Sequence, residues 1–549
     1  MTVFQEKTIK FIGKSANPAA NEILQGLLGN ADTGFRRLAF NALYLKKEPE
    51  LYVMLFRQFL TDEEFWWTAC SSEAEVRKDR IGKLADAAMR ESSGTLRGKA
   101  AEITMKYNLL PMLPTVIYFL ESSDAAVSQS MRKVLLHLAE SFYADIAAAP
   151  ENERVNFDRK REWFVGLLDS PVKRYSVNQI DEVIQSLLII AKKDFDTMKV
   201  VAADHRSATA KKIGELLRTG DHKSYLRVLL NYVNDIESPA VMDAIITERS
   251  DPLFVRKLLE FIGKDPSPEF RDALKRFQDF AWFNADNPEL PALVEGLERN
   301  AVQLLSAVSF PKERVVRLYR FFFERPSVDS RRAAAESVRW LIGEEINRVL
   351  LHFVNDSDGL TAATIFRLLK TRNVAEVDKI LPALIERPNQ DIRQAIYEMM
   401  PDLHVESFAA RVSQMTPMSA QSMGRYVRLA DPNTYKMIED NIGSPIPIRR
   451  SAACRVAFFT GYAKEFLAKI IKLAEEDDET SVRTTAINFL GMILEKQALE
   501  TLLRLKTDRS MDVRETAERA SNSWAAAWRA KSTTPQPPAT PAAPAAASS

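Results

Sequence analysis

Glycine is scarce in this chain, with 18 in 549 residues, about half the average usage. Few glycines leave few tight turns and bulges and no Gly-rich phosphate loop. Cysteine is scarcer still: only Cys70 and Cys454, very far apart. That excludes a disulfide scaffold and a Cys-rich zinc site. Both thiols are expected to be reduced core residues. The five histidines, His137, His205, His222, His352 and His404, are scattered singly. None falls in an HExxH or Cys/His spacing suited to zinc, so each is expected to be a packed or surface residue. GxGxxG, Walker and GxSxG motifs are also missing. No catalytic residue, no cofactor site and no metal site is therefore assigned. Charge of one sign is not in excess, at 75 basic against 74 acidic residues. This demotes nucleic acid as a partner, although a balanced total can hide a basic stripe. Long hydrophobic runs are lacking too. The stretch from Leu109 to Leu120 is too short to span a bilayer and contains Pro111 and Pro114. The N-terminus has no basic-then-apolar signal pattern. The expected setting is the cytoplasm, without membrane.

What is present favours helices. Ala, Leu, Arg, Lys and Glu are plentiful and cost little in a helix. The length exceeds what one compact core serves, so internal repeats matter first. The clearest unit begins at Thr480, where Val482, Ala486 and Leu490 form one apolar stripe. Arg483 follows the lead residue, and Gly491 is placed to close the helix. A second helix carries Leu499, Leu502 and Leu503. The same frame is read at Ile448-Arg449 with Ala452 and Val456, and at Ser330-Arg331 with Ala334 and Val338. It returns at Ile392-Arg393, Phe35-Arg36, Leu96-Arg97, Val127 and Val513-Arg514. A weaker copy is read at Leu360, Thr364 and Leu368. The lead residues lie 31 positions apart from Leu96 to Val127 and 34 from Ile448 to Val482. That period fits two short helices and two turns. Asp32, Ser93, Asp124, Ser327, Asn389 and Ser510 each stand three residues before a lead residue, where an N-cap side chain would accept backbone hydrogen bonds.

These residues resemble the HEAT-repeat (armadillo-like) family, including its short bacterial form. That family shows an Asp, Ser or Asn turn, a Val-Arg pair, an Ala four residues on, then Leu and Gly. The match is good at 480–506 and 448–475, fair at 327–355, 32–60 and 93–120, and poor at about 145–237. The resemblance implies an all-α, right-handed α-α superhelical solenoid of HEAT-like helix pairs. Four segments are expected: N-terminal repeats over 1–144, an irregular helical segment over 145–237, C-terminal repeats over 238–530, and an Ala/Pro-rich disordered tail over 531–549. In the middle segment, Val177, Ile180, Val183, Ile184, Leu187 and Leu188 are read as one apolar stripe.

A two-helix unit cannot bury its stripe alone, so stacking closes a shared core and exposes a long surface. The expected function is a non-catalytic scaffold or adaptor binding a protein partner along that surface. The rivals are a nucleic-acid-binding protein similar to HEAT-like DNA glycosylases and an enzyme of the bilin-lyase kind. Recurrent arginines, at 36, 97, 331, 393, 449, 483 and 514, read as links between repeats rather than as a phosphate ladder. In the HEAT family this arginine is commonly such a link. The run Glu475-Glu476-Asp477-Asp478 reads as a solvated turn. Candidate partner contacts are two. Trp66 and Trp67 belong to Phe65-Trp66-Trp67, three adjacent rings that cannot all face one core. Lys469, Lys472, Lys496 and Arg504 lie on second helices, which usually line the concave side of such arrays.

Overall fold

The computed structural model describes residues 3–91, 93–191, 206–236 and 240–533. Among them every regular element is helical, with short 3-10 turns and no strand. No helix among the described residues is long and apolar enough to cross a membrane. The chain divides into two compact units, Met1–Pro311 and Lys312–Ser549. Within each unit, helices pack on those one to three places along the chain, the pattern of a stacked α-solenoid array.

The repeat at Thr480 shows how sequence produces this arrangement. Helix Thr480–Leu490 buries Val482, Ala486, Ile487 and Leu490 completely. Helix Lys496–Leu505 buries Ala498, Leu502 and Leu505 and turns Lys496, Glu500 and Arg504 outward. The first packs on Leu467–Glu476 before it and on Met511–Thr533 after it. Each leucine removed from water in this way stabilises the stack by about 1.5–3 kcal/mol. Gly491 does not end its helix in the left-handed conformation expected of a closing glycine. Its φ is −62°, and what it supplies is room: a Cβ there would lie 2.8 Å from the Ala520 Cβ.

Five of the six expected caps bond as anticipated. The side chains of Asp32, Ser93, Asp124, Ser327 and Asn389 accept from backbone N–H groups in the first turn of their helices. Asp358, not foreseen, caps Gly359–Thr371 in the same way.

Two frames are displaced by one residue. Ile448 is 79% exposed and Ala452 half-buried, while Ala453, Cys454 and Ala457 are buried together with the expected Val456. Pro447 occupies the first helical position, so Ile448 precedes the inward face. Leu360 is likewise exposed, and Thr361, Ile365 and Leu369 carry the stripe. In the middle segment Val177 is 81% exposed. Left-handed Gln179 (φ 48°) separates it from helix Asp181–Ile190, whose Val183, Ile184, Leu187 and Leu188 are buried. The last helix runs to Thr533, three residues into the expected tail. Residues 534–549 of the Ala/Pro-rich tail lie outside the described residues. Residues 275–289 pass through turns instead of a second helix. Phe277, Phe280, Trp282 and Phe283 fill the space, in ring contact with one another and with Phe310.

Candidate partner-binding surfaces

The recurrent arginines join adjacent repeats. Arg36 reaches Asp62 at 3.6 Å and lies 4.0 Å over the Phe65 ring. Arg97 donates to the Met89 carbonyl, Arg393 to Ile385 and Arg514 to Asp508. Arg331 pairs with Asp356 at 2.8 Å, and its neighbour Arg332 grips Asp358 through two bonds of 2.6 and 2.9 Å. Arg483 holds both carboxylate oxygens of Asp508 and the Ala474 carbonyl. Arg449 is the exception, being exposed. With the frame shifted by one, Arg450 takes its place on Asp477. Asp477 belongs to the acidic run read as a solvated turn, yet its side chain is 3% exposed. Burial pushes its carboxyl pKa up, but the Arg450 hydrogen bonds, the Glu479 N–H and the charges of Arg450 and Arg483 together outweigh this, so the net direction is down.

A second set of arginines ties helix ends together. Arg249, nearly fully buried, donates to the carbonyls of Leu217 and Gly220. Arg372 donates to Val338, and Arg387 to Asn355. Such bonds satisfy carbonyls left open at helix C-termini.

The first expected contact fails at Trp66, which is 0% exposed and stacks on Phe40 at 4.9 Å. Its neighbour Trp67 is half-buried, stacked on Tyr107 at 4.1 Å with Arg77 over its face. Three adjacent rings are accommodated because Arg36 covers Phe65 while Tyr107 covers Trp67. The second expected contact is exposed but not a basic strip. Lys469 pairs with Glu439 at 3.2 Å, Arg504 with Glu475 at 2.6 Å and Lys496 with Glu500 at 3.8 Å. Lys472 is exposed. Pairs this open contribute about 0–1 kcal/mol each, and together they make a face of mixed sign.

Of the five histidines, His137, His222 and His404 make hydrogen bonds, His352 is exposed, and His205 lies outside the described residues. The His137 Nε2 lies 2.9 Å from both the Met105 carbonyl and the Asn108 Oδ1, two acceptors, so this nitrogen carries the proton. His404 bonds the Tyr397 carbonyl and stacks on its ring. Burial pushes the His222 pKa down. Among the described residues no three His, Cys, Asp or Glu side chains are grouped to hold a metal ion.

Several concavities open among the described residues, and two of them are lined by aromatic rings. In the first unit, a cleft of 380 Å³ opens beside the His137–Asn108 pair, walled by Pro111, Phe142, Phe157 and Trp163. Lys160 and Glu75 bridge its rim at 2.9 Å. In the second unit, a groove of 980 Å³ crosses the ends of helices Pro417–Ala430 and Pro447–Phe459 and the turn at 491–494. Its edges are Met418, 78% exposed, and Met492, 54% exposed. Phe458 and Phe459 form the floor, braced on Phe489 at ring distances of 5.2 and 5.9 Å. The turn bearing Met492 is fixed by Trp524, whose indole N–H donates to the Ile493 carbonyl at 2.8 Å. Helix Pro417–Ala430 comes close because residue 424 is glycine: a Cβ there would lie 2.3 Å from the Phe459 carbonyl oxygen. Sequence reading missed this groove, since its lining spans residues 386–494 and no single repeat contains it.

No family model matches the chain, and no curated protein matches it either. Solved structures similar to it include importin beta, at 12% identity, covering 95% of this chain and 89% of that one, with a TM-score of 0.22. Kap95p crystallised with RanGDP is 11% identical, covering 96% and 82%, with a TM-score of 0.25. An engineered protein is 14% identical, covering 92% and 98%, with a TM-score of 0.18. At these scores the likenesses carry no argument.

Proposed function

We propose that the chain is a HEAT-like, non-catalytic scaffold or adaptor that binds a protein partner, with the contact in the groove of the second unit. The observation that carries this reading is the pair of exposed methionines, Met418 and Met492, that line one groove together with Phe458 and Phe459. Methionine is flexible and polarizable and suits surfaces that adapt to another chain. The floor beneath is rigid, fixed by Gly424, Phe489 and Trp524. An adaptable rim can fit its apolar area to a partner, and the fixed base adds little to the ordering cost that the methionines carry. The recurrent arginines other than Arg449 hold repeats together, and His137 and His404 bond backbone carbonyls.

The test is affinity capture from native lysate with the wild-type chain and a Met418→Ser/Met492→Ser double variant of equal melting temperature. The expected result is a protein retained by the first and lost by the second. Identical captures from both chains would contradict the reading.

A further inference from the structure

The groove carries more than apolar surface. Its lining includes three cations, Arg425, Arg428 and Lys464, against one carboxylate, Glu386. Arg425 pairs with Glu386 at 3.0 Å, and Lys464 with Glu495 at 2.5 Å. All four side chains are more than a third exposed, so these pairs open at little cost. Arg428 differs. Its Nη1 donates to the Gly461 carbonyl at 3.0 Å, and its guanidinium lies 4.2 Å over the Tyr462 ring. Its Nε and Nη2 donate to no protein atom among the described residues. One edge of the guanidinium is thus anchored and the other presents two parallel donors, the fork that matches a carboxylate. Gly461 makes this seat possible. Its φ is +78°, and a Cβ there would lie 2.9 Å from the Arg428 Nη1.

We propose that the groove selects an acidic amphipathic peptide segment, with a Glu or Asp carboxylate on the outer edge of Arg428 and apolar side chains between Met418 and Met492. This rests on the scaffold reading and names the chemistry of its partner. A basic segment would meet Arg428 beside two cations already paired to Glu386 and Glu495, and like charges brought together oppose docking. Pre-seating of Arg428 means that little side-chain freedom is lost on binding.

The test uses three fluorescein-labelled synthetic peptides sharing one Leu/Phe frame, with polar positions all Glu, all Gln or all Lys. Binding to the full chain is read by anisotropy at low salt. The Glu peptide is expected to bind about tenfold tighter than the Gln peptide, a difference of about 1.4 kcal/mol. Arg428→Gln is expected to bring that ratio to about twofold or less, and Arg428→Lys to leave an intermediate value. Circular dichroism and melting temperature confirm that both variants fold. A single-stranded oligonucleotide is expected not to displace the Glu peptide. Equal binding of all three peptides, binding of none, or displacement by the oligonucleotide would overturn the proposal. Equal binding that the Met418→Ser/Met492→Ser variant weakens would leave the scaffold reading standing while removing the acidic preference.

Discussion

Arg450 and Asp477, 27 residues apart, meet through two parallel hydrogen bonds of 2.6 and 2.7 Å between successive repeats. The remaining Nη1 of Arg450 donates to the Ser444 carbonyl at 2.8 Å, so one guanidinium fixes a turn and the next repeat together. Arg332–Asp358 and Arg483–Asp508 repeat the paired bonds within the same unit, and Arg331 lies as an ion pair beside Asp356.

Removing one partner leaves the other partly buried and unpaired. Arg450→Ala is expected to destabilise the second unit by about 1–3 kcal/mol. Because neighbouring repeats share the loss, hydrogen exchange is expected to quicken in Pro447–Phe459 and Thr480–Leu490 and to remain unchanged in the first unit.

The same pairs set a response to acid. Arg332 hydrogen bonds hold the Asp358 carboxyl well below the usual range. Burial raises those of Asp477 and Asp508, but their arginine partners and backbone N–H bonds together outweigh it and lower both. Depressed folded values mean that the unfolded chain takes up protons first. The stabilisation is complete above the unfolded carboxylate pKa of about 4 and is lost as pH falls through the lower folded values. Melting temperature is expected to be level from pH 7 to 5 and to drop below pH 4, less steeply in Arg450→Gln.

Two glycine substitutions are expected to have opposite signs. Gly98 lies within helix Gly94–Lys106 with nothing near its Cβ position, so Gly98→Ala gains about 0.5–1 kcal/mol of helix stability. Gly424→Ala drives a methyl into the Phe459 backbone, and overpacking of about 1–3 kcal/mol wins over propensity. Thermal melts of the two variants check the signs.

Cys70 and Cys454 are buried, and burial pushes both thiols up to about 12. Little thiolate exists at neutral pH, and reagent cannot reach it. Iodoacetamide is expected to label neither in the native chain and both in denaturant. Rapid native labelling would show that these helices open.

The repeat at Thr480 was legible because Val482, Ala486 and Leu490 are buried and Arg483 keeps the arginine offset, although Glu479 makes no side-chain cap and Leu503 of the second helix faces out. The frame slipped at Leu360 because small residues, Thr361, Ala362 and Ala363, face inward there while the leucine faces out. The cap offset from Asp358 would have corrected it. At Ile448 the run Pro445-Ile446-Pro447 brings apolar residues into a turn before the helix begins. Trp66 misled for a different reason. Adjacency implied that one ring must be exposed, but Arg36 and Tyr107 cover its neighbours, and both covers come from other helices. The groove could not be read at all, because Met418, Arg428, Phe459 and Met492 share no repeat position and meet only through packing.

A photo-crosslinking amino acid placed in turn at Met418, Met492 and exposed Lys472 tests the central claim most directly. Irradiation in living cells is expected to give one discrete protein adduct, the same species from Met418 and Met492 and absent from Lys472. Uncoupled chain from all three positions, or unrelated smears from Met418 and Met492, would contradict a partner seated in the groove.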